Sequence, residues 1–303
     1  MRSLRASLCM AITIGLAVTA QAQAPSFDDV EIRTVPVATG VSMLVGRGGN
    51  IGVSTGPDGV FLIDDQFAPL SPKILAAVAK LSDAPVRFLL NTHWHGDHAG
   101  GNENMARAGA VIVAHDNVRE RMSTDQFMAT FDREVPAAPA AALPVVTFGT
   151  DLTLHWNADT IHAIHVPGAH TDGDAIVHFA EANAIHMGDT YFAGRYPFID
   201  VDSGGSIDGL IAAVDRGLAL ADDATRIIPG HGELSNRAEL TAYRAMLETV
   251  RNRVQAAIDA GTSVDDLVAS QPLADLDGRW SSSTSFIKAE ALVRTVYASL
   301  QAN

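Results

Sequence analysis

A single cysteine, Cys9, occurs in 303 residues, so the chain can form no internal disulfide and no thiolate metal cluster. Basic residues are also scarce. Twenty-one Lys and Arg face 35 Asp and Glu, for a formal net charge of −14, and no run of Lys or Arg appears. That balance weighs against a nucleic-acid backbone as partner and favours a small molecule. No Ser- or Pro-rich linker divides the chain and no internal repeat is visible. The apolar run from Leu8 to Ala20 is too short for a membrane span, which needs about 20 apolar residues.

That run reads instead as a targeting signal. Arg2 and Arg5 give it a positive start, and Ala20-Gln21-Ala22 fits an A-x-A cleavage site. The expectation is a signal peptide over residues 1–22, a mature chain from near Gln23, and a periplasmic or secreted protein with no stable membrane insertion. Losing the two arginines would leave a mature charge of about −16. Cys9 would leave with the signal, and a core of this size can hold without disulfides. Apolar residues make up 47% of the chain, enough for one α/β domain over 23–303.

The richest segment is Asn91-Thr92-His93-Trp94-His95-Gly96-Asp97-His98-Ala99-Gly100-Gly101. Four potential metal ligands, His93, His95, Asp97 and His98, fall within six residues. Imidazole and carboxylate are what zinc takes when no thiolate is offered. The run follows the strand-like Val86-Arg87-Phe88-Leu89-Leu90, and loops at the ends of buried strands aim several side chains at one point. His93 and His95 are two apart and share a side of an extended backbone, while Gly96 permits a sharp turn that sends Asp97 and His98 elsewhere. Three later strand–turn segments each carry one more candidate: His170 in PGAHTDGD, Asp189 in GDT and His231 in PGHG.

Taken in this order, HWHGDH, PGAHTDGD, GDT and PGHG resemble the metallo-β-lactamase superfamily, over about Val35 to Gly232. The resemblance implies an α/β four-layer αβ/βα sandwich with a two-metal site between two sheets. It implies His93, His95 and His170 as ligands of a first Zn2+, Asp97, His98 and His231 as ligands of a second, and Asp189 as the carboxylate bridging both, as in glyoxalase II-like members. In the commonest true lactamases a Cys stands at the position of Asp189, and the residue matching His98 is not a ligand. The mature chain offers no thiol.

The implied activity is hydrolysis by a hydroxide shared between the ions, with Asp97 orienting it. β-Lactams are the leading substrates; lactones, esters or thioesters are the alternative, for which an Asp at position 189 is the more usual choice. A mononuclear iron sulfur-oxidising enzyme using His93, His95 and His170, or a non-catalytic zinc-binding protein, ranks lower because every ligand position is filled. Arg195, six residues after Asp189, could hold a substrate carboxylate in bidentate fashion. Tyr191 and Tyr196 are candidate donors, Trp94 a wall of the site, and Asp202 to Ser206 a mobile loop at its mouth. Asp64, ending Val60-Phe61-Leu62-Ile63, would support the ligand loop through hydrogen bonds. His115 reads as structural, and His155, His162, His165, His178 and His186 as packed or surface residues.

Apolar spacing predicts strands at 41–45, 51–54, 111–115 and 175–179, and helices over 71–81 with Ser71 as N-cap, 206–221, 237–260 and 284–300. The last should bury Phe286, Leu292, Val293, Val296 and Tyr297.

Overall fold

The computed structural model describes residues 26–283 and 285–301, so the expected signal peptide lies outside the described residues. Strands β1 (Arg33–Ala38), β2 (Val41–Val45), β3 (Ile51–Gly56) and β4 (Gly59–Ile63) form an antiparallel meander. Helix α1 (Ser71–Val78) crosses to β5 (Val86–Leu90), which pairs parallel with β4. The short helices α2 (Gly96–Ala99) and α3 (Asn102–Arg107) lead to β6 (Val111–His115), then α4 (Asp116–Met122). A separate hairpin, β7 (Gln126–Met128) with β8 (Arg133–Val135), follows before β9 (Val146–Phe148) closes the first sheet beside β6.

The second sheet runs β10 (Asp151–Trp156), β11 (Asp159–His165), β12 (Ala175–Phe179), β13 (Ala184–His186), β14 (Arg226–Ile228) and β15 (Ser235–Asn236), in that spatial order. Only β13 and β14 pair parallel, because α5 (Ile207–Leu220) carries the chain between them. Helices α6 (Arg237–Asp259), α7 (Val264–Ala269), α8 (Ala274–Trp280) and α9 (Ala289–Gln301) complete the chain.

The layers follow from which faces are apolar. Phe61, Ile63, Leu90 and Val113 of the first sheet meet Ile161, Val177, Phe179 and Ile228 of the second, so the sheets pack face to face. The outer face of the first sheet buries Leu62 and Leu89 under Ile74 and Val78 of α1 and Met105 of α3. The outer face of the second buries Ile176 and Ile185 under Leu210 of α5, Leu247 of α6 and Val293 of α9. This is the four-layer αβ/βα arrangement. Strand β4 is buried on both faces, which is why it reads as a continuous apolar run rather than an alternating one.

Side-chain caps start the long helices: the Ser206 and Asn236 side chains accept from Gly209 N and Glu239 N. Ser71 is not such a cap. A 3-10 turn over Ala68–Leu70 precedes it, Leu70 takes the N-cap position, and the Ser71 hydroxyl accepts from Asn104 Nδ2 at 3.1 Å. Helix α9 begins at Ala289, later than the expected 284. Leu292, Val293 and Val296 are buried as expected and Tyr297 is half-buried, but Phe286 lies ahead of the helix and is exposed. No helix among the described residues is long and apolar enough to cross a membrane.

Candidate metal centre

All the chemistry-bearing turns emerge at one edge of the sandwich. His93 and His95 follow β5, Asp97 and His98 lie in α2, His170 sits between β11 and β12, Asp189 follows β13, and His231 follows β14. The two sheets are stitched at this edge by Asn50, which is buried. Its backbone N–H donates to Gly230 O at 2.7 Å, and its Nδ2 donates to Pro229 O and Gly232 O at 2.9 Å each. His186 Nε2 donates to Asn50 O at 3.0 Å, so that imidazole belongs to the inter-sheet tie.

Three groups of donors converge. The ligating atoms of His93, His95 and His170 lie within 4.8 Å of one another, as do those of His93, His98 and Asp189, and those of Asp97, His98 and His231. Asp189 stands between the groups. Its Oδ2 is 3.9 Å from His93 Nε2, 3.6 Å from His170 Nε2 and 3.3 Å from His231 Nε2, while Oδ1 is 3.0 Å from His98 Nε2. Asp97 Oδ2 is 3.4 Å from His231 Nε2. The structure therefore brings together all seven residues singled out in the sequence.

The donor set fits a cation. His93 Nε2 and Asp189 Oδ1 are buried without a hydrogen bond of acceptable geometry, an expense that a coordinated ion would remove. Imidazole and carboxylate donors suit zinc or a similar divalent ion. Burial drives the imidazoles of His93 and His170 toward the neutral, ligating form, the latter down to about 4. Burial also opposes charge on His231, but Asp189 and Asp97 outweigh it and push that group up to about 9. Burial alone would raise Asp97 and Asp189; the imidazoles His98 and His231 hold both carboxylates below their usual range.

Three of the candidate ligands, His95, His98 and His170, are oriented by partners behind them. Asp64, in the left-handed region at φ 64°, accepts from Thr92 N at 2.7 Å and Thr92 Oγ1 at 2.8 Å, and lies 2.7 Å from His98 Nδ1. These contacts tie the strand-end acid to the loop that carries His93, His95 and His98. Asp200 does the same for His95. Its Oδ2 accepts from His95 Nε2 at 2.9 Å, leaving Nδ1 to face the cluster, and its backbone N–H donates to His170 O at 2.9 Å. Asp174 accepts from the backbone N–H of His170 and Thr171, fixing the PGAHTDGD turn, and burial pushes its carboxyl up to about 7. Asn50, Asp174 and Asp200 escaped sequence reading. Asp200 lies in Phe198-Ile199-Asp200-Val201, which matches no ligand motif; only its place eleven residues past Asp189 could have hinted at it.

Close backbone approach at two glycines lets the cluster form. A Cβ at Gly49 would lie 2.0 Å from His98 Cε1, and one at Gly230 would lie 2.0 Å from Asp189 Oδ1.

The cluster opens into a cleft of about 590 Å³, lined by Asp97, Asp189 and His231 and by Phe67, Phe131, Phe192, Phe198 and Phe286. Arg195 is exposed on its rim, together with Arg47 and Arg133. Several expectations are corrected here. The Tyr191 hydroxyl is 2.7 Å from Ser235 Oγ, and the Tyr196 hydroxyl donates to Asp277 Oδ1 at 2.9 Å, so neither is offered to the cleft. Trp94 is buried and packs edge-on to His95, with ring centroids 4.7 Å apart; it backs that ligand rather than walling the cleft. The 202–206 segment is clamped: Asp202 Oδ2 accepts from Ala129 N at 3.0 Å, and Asp200 accepts from Ser203 Oγ at 2.6 Å. His115 is structural, capping α4 by accepting from Asn117 N and stacking on His165 at 3.7 Å.

Known proteins resemble this chain in sequence or in fold. A hydroxyacylglutathione hydrolase of Polaromonas sp. strain JS666 is 30% identical over 178 residues, which are 58% of this chain and 60% of that protein. A metallo-beta-lactamase from Pontibacter korlensis superposes with a TM-score of 0.58 at 18% identity, covering 72% of this chain and 99% of the other. A sec-alkylsulfatase from Pseudomonas sp. superposes at 0.66 and 16% identity, covering 88% of this chain and half of the other. At those identities the superpositions speak for the fold alone. The profile described as metallo-beta-lactamase superfamily matches residues 44–231, a span that begins in β2 and ends on the last candidate ligand, and the chain belongs to that superfamily.

Proposed function

We propose that this chain is an exported, single-domain, two-zinc hydrolase of small activated carbonyl compounds, with β-lactams as the leading substrates. The observation that carries the reading is the Asp189 carboxylate, standing between two imidazole groups, with Oδ1 toward His98 and Oδ2 toward His93, His170 and His231. His93, His95 and His170 would hold one ion and Asp97, His98 and His231 the other, with Asp189 shared. When bound, such ions polarise a carbonyl and supply a hydroxide nucleophile at neutral pH.

The chain's own residues do the rest. Asp97, held ionised by its imidazole neighbours, faces the cleft and is placed to orient the nucleophile and take up its proton. Arg195 presents a planar fork for a substrate carboxylate from the rim. Phe192 and Phe198 exclude water from one side of the reacting group. Neither a Ser nor a Cys nucleophile is required.

A second reading, hydrolysis of thioesters, lactones or esters, is favoured by Asp189 in place of a thiolate and by the similarity to the Polaromonas protein. One assay separates the two. The zinc-loaded chain is given a chromogenic cephalosporin and, in parallel, an acyl thioester, each with a chelator control. Chelator-sensitive turnover of the cephalosporin above about 10⁴ M⁻¹s⁻¹ in kcat/KM supports the first reading. Background-level cephalosporin turnover beside efficient thioester cleavage supports the second. Elemental analysis showing one iron rather than two zincs would remove both.

A further inference from the structure

We propose that the substrate is an amphiphilic anion: a hydrolysable carbonyl compound whose aryl or medium-length alkyl group lies along Phe131 and Phe286, and whose acidic group meets the cleft arginines. The proposal rests on the hydrolase reading above and adds the recognition chemistry.

The apolar half rests on a continuous aromatic track. Phe198 stacks beside His95 at 5.9 Å between centroids and 28° between planes. Phe131, in the turn between β7 and β8, lies 5.1 Å from Phe198 and 5.3 Å from Phe286. The track thus leads from a candidate ligand to the mouth of the cleft, assembled from three segments far apart in sequence. Its outer rings are costly as they stand: Phe131 is 36% and Phe286 68% exposed. Contiguous exposed aromatics at the mouth of a cleft mark a surface that gains by being covered. A strongly hydrated, peptide-like group would not cover them.

The anionic half rests on charge. Asp97 and Asp189 are the carboxylates lining the cleft among the described residues, and both belong to the metal centre. Three arginines line it as well. Arg47 donates to Ser26 O and lies over Phe27, and Arg133 contacts Met128 Sδ. The Arg195 guanidinium has no hydrogen-bond or ion-pair partner among the described residues. Many arginines elsewhere in this acidic chain are matched with acids, as in Arg121–Asp172, Arg244–Asp215 and Arg253–Asp275, although, among the described residues, Arg87, Arg119, Arg216, Arg226 and Arg279 are not. Three cations without carboxylate partners around one apolar cleft select an anion with an apolar body.

Calorimetric titration of the full, metal-loaded chain with octanoate, butanoate and octanamide tests this without turnover. A carboxylate on the metals affects both acids alike, so chain length reports the aromatic track. Each methylene fully buried is worth roughly fourfold. Octanoate is expected to bind at least about tenfold tighter than butanoate, and Phe131→Ala with Phe286→Ala to shrink that ratio below about threefold with butanoate unchanged. Arg47→Gln with Arg133→Gln should weaken octanoate by about fivefold or more and leave octanamide alone. Metal content is measured on every variant, and the single Phe286→Ala, at a mostly exposed ring, guards against misfolding of the pair. Equal affinities for octanoate and butanoate, a full chain-length gain in the phenylalanine variants, or octanamide matching octanoate would overturn the proposal. If the binding series behaves as expected and no carbonyl compound is turned over, the hydrolase reading fails alone. Turnover with a flat series sinks this one alone.

Discussion

Asp200 touches two candidate ligands at once, through its carboxylate on His95 Nε2 and its backbone N–H on the His170 carbonyl. Replacing Asp200 by Asn keeps the backbone contact and removes the charge behind His95. Metal affinity of the His93–His95–His170 group is expected to fall about 10- to 100-fold, read by competition with a chromogenic chelator. An unchanged affinity would mean that packing alone orients His95. The ligands themselves should be less forgiving. Asp97→Ala and His95→Ala are each expected to lower turnover by at least about a hundredfold, and near-normal activity in either would refute the assignment. Gly230→Ala places a methyl on Asp189 Oδ1, so the carboxylate must move. A displacement of an ångström in such a site costs about a hundredfold in rate, and steady-state kinetics of this variant measures it.

At the scale of elements, legibility followed local determinism. The motif strands β5, β6, β12 and β13 were readable because apolar β-branched and aromatic runs end in turn residues, and five of the seven candidate ligands lie on turns after such runs, with Asp97 and His98 in the short helix α2 that follows the β5 turn. The hairpin β7–β8 was not readable. Its strands are three residues each, and Phe131 gains its meaning from a cleft assembled by remote segments. The start of α9 was misplaced because Phe286 fits the apolar spacing of the helix while facing the cleft instead. Tyr191 and Tyr196 were misread because hydroxyl direction depends on Ser235 and Asp277, far along the chain. One element-level link can be tested directly. Arg121 of α4 makes paired 2.7 Å contacts to both oxygens of Asp172, in the turn that carries His170. Arg121→Ala is expected to cost about 1–2 kcal/mol in denaturant unfolding, with a smaller loss of metal affinity.

For the molecule as a whole, the centre draws on both sheets, so an ion bound there stabilises only the closed sandwich. At a free metal concentration a thousandfold above Kd, the gain is about 4 kcal/mol. Chelation should therefore lower the melting temperature by several degrees, checked by calorimetry with and without chelator.

The sequence order of the two sheets carries one more consequence. Every strand of the first sheet precedes Gly149, every strand of the second follows Thr150, and the outer helices divide at the same place. A backbone cut between Phe148 and Asp151 would sever no ladder. The two pieces would share an apolar face, the buried Asn50 knot and the candidate ligands, four of them on the first piece and three on the second. The nicked protein should elute as one species while metal is bound and part more readily once it is stripped. The centre would then act as a clasp between two half-molecules as well as a place for chemistry.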